Sequence, residues 1–417
     1  MNEKNPKLSL RERDRRWRLG RDLMKAEGLD CLVILGRSRE HYDSFFTNEC
    51  FDGIVVFPIE GDPAYLIWSG SRIARRLEST AEGEEFWVDD ERLGATGPGL
   101  AGVIEEKGFD QAKIGVVGLE SKGPGELEGV ISYKTWDEIL KRLPNADFVD
   151  VSFEFAEAIM VKSEEELAMV RRSAEIGELA CQAMIDVVKP GVSESEIYAT
   201  VASTIIREGA ICAPDGVILK TGPENVSWGT PVWVHHGGNP RVLKEGDVAL
   251  TEIFPVYGGF ESQQQMTVAL HPVSEVHREC AEVAVKSYEA GIEALRPGAD
   301  FQGVCDAMER PLADAGCWHL TPLIHTIMPL VWGSAMYVGI EQVPGIEKFK
   351  GIRTVRSLFD LAKSSGKQLT IKPGMVFAFE PNACRGKHRI NVGGTVIVTE
   401  SGVEELNSIP NKMYVLD

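Results

Sequence analysis

Lys244-Glu-Gly-Asp-Val-Ala-Leu-Thr-Glu252 and Lys372-Pro-Gly-Met-Val-Phe-Ala-Phe-Glu380 share one frame, Lys-x-Gly-x-Val-x-x-x-Glu. In each, a glycine turn feeds a short apolar run, residues 248–250 or 376–379, of the kind that forms a buried strand. Each run closes on a glutamate. A buried carboxylate is costly unless something pairs with it. Two of them at equivalent places therefore predict one shared polar site.

The surroundings of the two frames repeat as well. Ser163 and Glu166 form a capping pattern that opens a helix with Leu167, Val170, Ala174, Met184 and Ile185 on its apolar face. That helix stops at Pro190-Gly191. Ser193 with Glu196 opens the next, which ends at Gly209. The pattern then returns. A helix from about Glu275 stops at Pro297-Gly298, and its successor ends at Gly316. Pro190 to Pro297 and Gly209 to Gly316 are both displacements of 107 residues. A repeat present twice predicts a duplicated half-domain, packed about a pseudo-two-fold axis with its strands in one sheet. A cleft between equivalent halves is a natural ligand site.

Residues 1–157 read as a separate α/β unit. A helix bearing Trp17, Leu19, Leu23 and Met24 ends at Gly28, and apolar strands follow at 31–35, 53–58, 64–68 and 114–117. Helices alternating with short strands imply a mixed sheet covered by helices. The catalytic-type unit then spans 158–417.

Composition narrows the function. The 417 residues are 43% apolar, enough for two or three globular domains. A net charge of −19 argues against nucleic acid, whose phosphates need clustered Lys and Arg. No apolar run approaches the ~20 residues of a membrane span. The N-terminus is charged without an apolar core, unlike a secretory signal. Eight scattered cysteines without a Cys-x-x-Cys pair fit reduced thiols in a cytoplasm.

Around the first frame, His235 and His236 precede a Gly-Gly-Asn-Pro turn, and Gln263, Gln264 and Gln265 begin the return strand after Glu252. The glutamine run reads equally as a solvated face or as polar groups displayed beside Glu252. His235 lies two residues from Trp233, and histidine is the side chain best placed for proton transfer near neutral pH. In the second half His325 sits in an apolar stretch with Trp332 close behind. A histidine in such a place is more often a satisfied core residue. Its position between the repeated helices and the Glu380 strand raises it to a site candidate.

The arrangement resembles the creatinase, prolidase and methionine aminopeptidase superfamily over essentially the whole chain. Ile159-Met-Val-Lys-Ser-Glu-Glu-Glu-Leu167, Arg241-Val-Leu-Lys-Glu-Gly-Asp247 and Ile371-Lys-Pro-Gly-Met-Val-Phe-Ala-Phe-Glu-Pro381 carry the likeness. It implies a creatinase-type N-terminal domain followed by a pita-bread catalytic domain, an α/β (α+β) chain working as a homodimer. Peptidases of this superfamily hold two divalent metals with two Asp, one His and two Glu. Those places fall here on Glu252, Gln263, His325, Glu380 and Gly393. A neutral amide and a missing side chain make a two-metal centre a poor expectation, because bridging two hard ions needs carboxylates on both sides. A single ion on Glu252, His325 and Glu380 stays open.

The resemblance then points to the metal-independent creatinase branch, which Phe254-Pro255 also favours. Its general acid/base falls on His235 and a substrate anchor on Glu380. The second anchoring glutamate falls on Gln265, and the carboxylate-reading arginine falls near Met336. The expectation is a hydrolase with no cofactor, cleaving a C–N bond in a small polar nitrogen compound other than creatine. His235, His325 and Glu380 are the catalytic candidates. Glu252, Gln263, Gln265, His236 and Trp332 are the substrate-binding ones. The alternatives are a metal-dependent Xaa-Pro peptidase, a lyase on a small zwitterion, and a non-catalytic binding module. The basic residues Arg72, Arg75 and Arg76 read either as a solvated helix face or as an anion site reaching a partner's cleft. The stretch from Gly345 to Gln368, with Arg353 and Arg356, reads as a lid or dimer contact.

Overall fold

The computed structural model describes residues 5–36, 42–49, 53–119, 131–212, 216–349 and 368–417. The chain divides at Met160/Val161 into two compact units, and the residues up to Pro6 group with the second. There the Tyr257 hydroxyl donates to the Pro6 carbonyl at 3.2 Å.

In the first unit, helix Leu10–Glu27 ends at Gly28, whose φ of 64° supplies a left-handed cap that bonds back to the Met24 carbonyl. The sheet runs in the spatial order Asp90–Leu93, Ala64–Ile67, Ile54–Pro58, Cys31–Leu35, Lys113–Val117, Asp147–Asp150. It is mixed: Cys31–Leu35 pairs antiparallel with Ile54–Pro58 and parallel with Lys113–Val117. Side chains alternate across it. Leu32 and Ile34 join Met24 and Phe46 on one face, and Cys31, Val33 and Leu35 join Leu100 and Ile139 on the other. The two outer strands escape the sequence reading because Asp-Glu-Arg-Leu and Asp-Phe-Val-Asp carry the charges that keep an edge from pairing further. Arg76 is already engaged, donating to Glu91 Oε2 at 2.5 Å and to the Val88 carbonyl.

The duplication governs the second unit. Its main sheet runs Ile324–Thr326, Val376–Phe379, Gly393–Val398, Gln264–Leu270, Val248–Ile253, Ile218–Gly222. The order is palindromic: inward from each edge come a short strand, a glutamate-frame strand and a return strand. All five neighbouring pairs on this path are antiparallel. The halves meet where Gln264 and Gln265 pair with Gly394 and Gly393.

Each half has its own helix pair, Glu164–Val187 with Glu194–Arg207 and Glu275–Ala294 with Phe301–Asp314. The box at Ser163 and Glu166 forms with both reciprocal bonds, and at Ser193 the serine oxygen caps the Glu196 N–H. The repeated glycines have a common cause. Gly191 and Gly298 have φ of 90° and 83°, and Gly209 and Gly316 have 88° and 64°, all in the left-handed region. In the first half Ile176, Ala180 and Met184 pack on Leu219, Ala249 and Val268. In the second, Gly291 lets its helix settle on the frame strand, since a Cβ there would lie 2.6 Å from the Phe379 ring.

Glu252 and Glu380 are 128 residues apart, against 107 for the helix stops, so the second half carries an insertion. Residues 350–367 of it, with Arg353 and Arg356, lie outside the described residues. No described helix is long and apolar enough to cross a membrane.

Candidate active site

Glu252 lies near the end of its strand and Glu380 just after its own; they are 1% and 4% exposed. Each has a cationic partner. Glu252 Oε1 accepts from Arg389 Nη2 at 2.6 Å, and Oε2 accepts from Trp228 Nε1 at 2.7 Å. Glu380 Oε1 lies 2.9 Å from His325 Nε2. Burial is the largest influence on Glu252 and pushes its pKa up. Glu380 adds to that push, Arg389 and Trp228 oppose it, and the net shift is upward. The two carboxylates therefore sense each other, as one shared site requires.

His325 Nδ1 faces the Thr326 carbonyl at 2.9 Å. Both ring nitrogens thus face oxygen acceptors, an arrangement that only the doubly protonated ring satisfies. Burial works hardest against that charge. The hydrogen bond and field of Glu380 overcome it, and the His325 pKa is raised. His325 is a paired cation that holds Glu380 in place. Trp332 backs it, its carbonyl accepting from the Thr326 N–H at 2.8 Å.

Arg389 was missed by the sequence reading. It sits fully buried on strand His388–Asn391, and its Nε and Nη1 have no partner among the described residues. The available signal was the period of two, which sets Arg389 and Asn391 on one face with Ile390 on the other. Asn391 Nδ2 donates to Gln265 Oε1 at 2.8 Å, and Thr267 Oγ1 donates to Asn391 Oδ1 at 2.9 Å. Gln265 pairs in register with Glu252. Gln263 Nε2 donates to Glu261 Oε1 at 3.0 Å. Gln264 turns to the other face, beneath Gly177, where a Cβ would fall 1.8 Å from the Gln264 amide oxygen. All three glutamines are buried, so the solvated-face reading fails.

His235 is placed differently from the other candidates. It lies on the short helix Val232–His236, exposed like His236, with its Nε2 2.6 Å from Thr230 Oγ1. Among the described residues its ring bonds there rather than to Glu252, His325 or Glu380. The same segment nevertheless reaches the site through Trp228. Its base is fixed by Glu194, another residue the sequence reading missed. The buried Glu194 carboxylate accepts from Trp233 Nε1 at 3.0 Å, the Arg241 N–H at 3.3 Å and Thr221 Oγ1 at 2.6 Å.

Comparison with known proteins agrees with this architecture. The model of metallopeptidase family M24 matches residues 168–400, more than half of the chain. Creatinase from Bacillus sp. (strain B-0618) is 23% identical, over 97% of this chain and 92% of its own length. Ectoine hydrolase from Halomonas elongata is 24% identical, with 96% of each covered. The crystal structure of X-Pro aminopeptidase from Thermotoga maritima superposes with a TM-score of 0.71 at 18% identity, covering 96% of this chain and 99% of that one. That likeness shows the shared pita-bread fold.

The family name implies metal ions, and the donor set here does not fit a pair of them. Both Glu252 oxygens are taken, one by a guanidinium. Gln263 is neutral. Gly393 has φ of 135°, and a Cβ there would lie 2.0 Å from the Phe379 carbonyl oxygen, so no bridging glutamate can occupy that place without moving the strand. Among the described residues no three His, Cys, Asp or Glu side chains are gathered as a ready-made ion site, and Glu252, His325 and Glu380 are the residues a single ion would use. The palindromic sheet, the twin glutamate frames and the match over residues 168–400 together establish that this chain belongs to metallopeptidase family M24 and is an enzyme of that hydrolase family.

Proposed function

We propose that this enzyme hydrolyses a C–N bond in a small polar nitrogen compound of amidine, guanidino or amide type, without a metal ion. The observation that carries the reading is the set of buried charges, Glu252 with Arg389 and Glu380 with His325, bordered by neutral Gln263, Gln265 and Asn391. Each of the two buried carboxylates is matched by its own cation, so neither is left as a bare anion to hold a dication, and Glu261, whose Oε1 accepts from Gln263, stands at their border. They offer instead a dense array of hydrogen-bonding groups. Two relatives aligned over nearly the whole chain, named as a creatinase and an ectoine hydrolase, support a small nitrogen compound as substrate.

In this reading Glu380, fixed by His325, receives the N–H-rich end of the substrate. Gln265 Nε2 and the free Arg389 N–H groups donate to its acceptor atoms. His235, reachable by water on the segment anchored by Trp228 and Glu194, takes a proton from water as it adds to carbon. It returns the proton to the departing nitrogen. The exposed apolar residues Trp68, Leu77 and Leu93 of the first unit support a homodimer as the working form.

The test is a substrate panel of amidines, guanidino acids, cyclic amidines and Xaa-Pro dipeptides, followed by NMR with chelator-treated protein of measured metal content. Turnover of a small nitrogen compound is expected to survive chelation, to give a hydrolysed product and to fall at least ~100-fold in His235→Ala and Glu380→Gln. Activity confined to dipeptides and abolished by chelator would establish the peptidase instead. An unsaturated product would establish a lyase.

A further inference from the structure

The side chains gathered around the two glutamates are closed off from water: Glu252, Glu380, His325, Arg389, Gln263 and Gln265 are all buried. Glu252, Gln265, His325 and Arg389 also stand on strands, which hold them in place. Trp228 differs in both respects. Its indole donates to Glu252 Oε2 at 2.7 Å, yet it is 45% exposed and lies outside any strand or helix. Among the described residues bonded to the two carboxylates, it is the one that joins them to solvent. The chain is pinned on either side of it. Asn225 donates from its N–H to the Lys387 carbonyl at 3.1 Å and from Nδ2 to the Arg389 carbonyl at 2.8 Å, and Trp233 is held by Glu194. Between these pins, residues 227–230 make no backbone hydrogen bond among the described residues. Gly229 has φ of 126°, and a Cβ there would meet nothing within 4 Å. A glycine in open space, in a stretch without backbone bonds, lets the chain turn at little cost.

On the reading that these carboxylates form the substrate site, we propose that Trp228 is the gate to it: an N–H group of the substrate replaces the indole at Glu252 Oε2, and residues 227–230 swing outward as it enters. The indole is a neutral donor with a single N–H. An amidinium or guanidinium brings several N–H groups and a positive charge to the same oxygen, and hydrogen bonds between ionised groups are the stronger kind. Nearly half of the indole already faces water, so moving it out uncovers little further apolar surface. Glu252 keeps its bond from Arg389 throughout, and no bare carboxylate is left while the indole is away.

The gate also selects. A ligand without an N–H cannot replace the indole, and entering would leave Glu252 Oε2 without a donor in a buried place. Ligands that carry one exchange bond for bond. Because the closed form competes with every ligand, apparent affinity is lowered by the fraction of molecules that stand open. Trp228 is thus a specificity-determining residue rather than a catalytic one. Thr230, two residues on, has its hydroxyl 2.6 Å from His235 Nε2, so the gate and the proposed proton carrier share one segment.

The experiment uses the full chain with isotope-labelled tryptophan, read by NMR at the indole N–H signals, and acetamidine as the probe. Trp228→Phe, checked as folded by circular dichroism, identifies the Trp228 signal by its loss. Titrating acetamidine into native protein is expected to shift that signal saturably, while the indoles of Trp17 and Trp318, each bonded to a backbone carbonyl, stay still. N,N-dimethylacetamide, similar in shape but without an N–H, should move none of them. Calorimetry should show acetamidine binding Trp228→Phe at least ~10-fold more tightly than native protein, because no competing donor remains. A Trp228 signal that acetamidine does not move, binding to neither protein, or equal or weaker binding to Trp228→Phe overturns the proposal; the last would make the indole a wall of the site. The substrate panel tests the underlying reading separately. Turnover of an amidine with an unmoved Trp228 signal removes the gate alone, and displacement of Trp228 without turnover supports the gate and removes the proposed amidine hydrolysis.

Discussion

Replacing Arg389 by methionine isolates the largest electrostatic commitment in the site. Arg389 and Glu252 are 0% and 1% exposed and their charged atoms stand 2.6 Å apart. At an effective dielectric of ~20, that separation corresponds to an attraction of about 6 kcal/mol before desolvation is counted. Methionine is unbranched and fills most of the same space, so the loss is one of charge rather than of volume. Glu252 would keep only its bond from Trp228 and become an unpaired buried carboxylate. The expected cost is about 3–5 kcal/mol. Urea unfolding measures it, fitted with separate transitions for the two units because a two-unit chain need not unfold in one step. Two controls sharpen the result. Adding Glu252→Gln to Arg389→Met should recover most of the loss, since a neutral amide still accepts from Trp228. Acidification should also shrink the penalty of Arg389→Met, because Glu252 can then take up a proton. A cost below ~1 kcal/mol, or a double variant no more stable than Arg389→Met, would refute the reasoning.

Three further outcomes are expected. Because the folded pKa of His325 is raised above the unfolded value of ~6.5, its contribution is complete below about pH 6.5 and fades as pH rises through the folded value. The stability gap between wild type and His325→Gln should therefore be wider at pH 6 than at pH 10, and a gap that grows with pH counts against the paired cation. Gly393→Ala should destabilise by at least ~2 kcal/mol, since its Cβ meets a backbone oxygen at a φ that alanine resists; a thermal shift indistinguishable from wild type would show that the seam can adjust. Glu194→Ala removes three hydrogen bonds at the base of the His235 segment and should cost about 2–3 kcal/mol. It should also lower kcat more than it raises KM once a substrate is in hand, and an unchanged kcat would detach that segment from the chemistry.

The sequence showed the architecture because the constraints behind it are local. Left-handed glycines at 191, 209, 298 and 316 and two strands ending in charge can be read residue by residue, and their spacing exposes the duplication. The carboxylates were legible for the same reason. Their partners were not. Arg389 meets Glu252 across 137 positions, and a single arginine in a short strand looks like an edge residue until the strand is seen to be covered. Glu194 opens a helix, where an acidic residue is already explained by the helix dipole. Its contacts with Trp233 and Arg241 depend on how a later loop returns. His235 shows the converse limit. Its chemistry and its neighbouring tryptophan marked it, while its exposure depends on a short helix that no periodicity announces.

The palindromic sheet has a consequence for how one ancestral strand end acquired two jobs. Duplication delivers two identical acids to one place, and identical acids repel each other and compete for one proton. Here the copies have diverged in company rather than in kind. One glutamate is bound to a guanidinium, whose charge persists at every pH the protein meets, and the other to an imidazole, whose charge can be withdrawn. Symmetry of backbone thus coexists with a division of labour between a permanent counter-ion and a removable one. A chemist who wished to change what this pocket does would begin with the removable one.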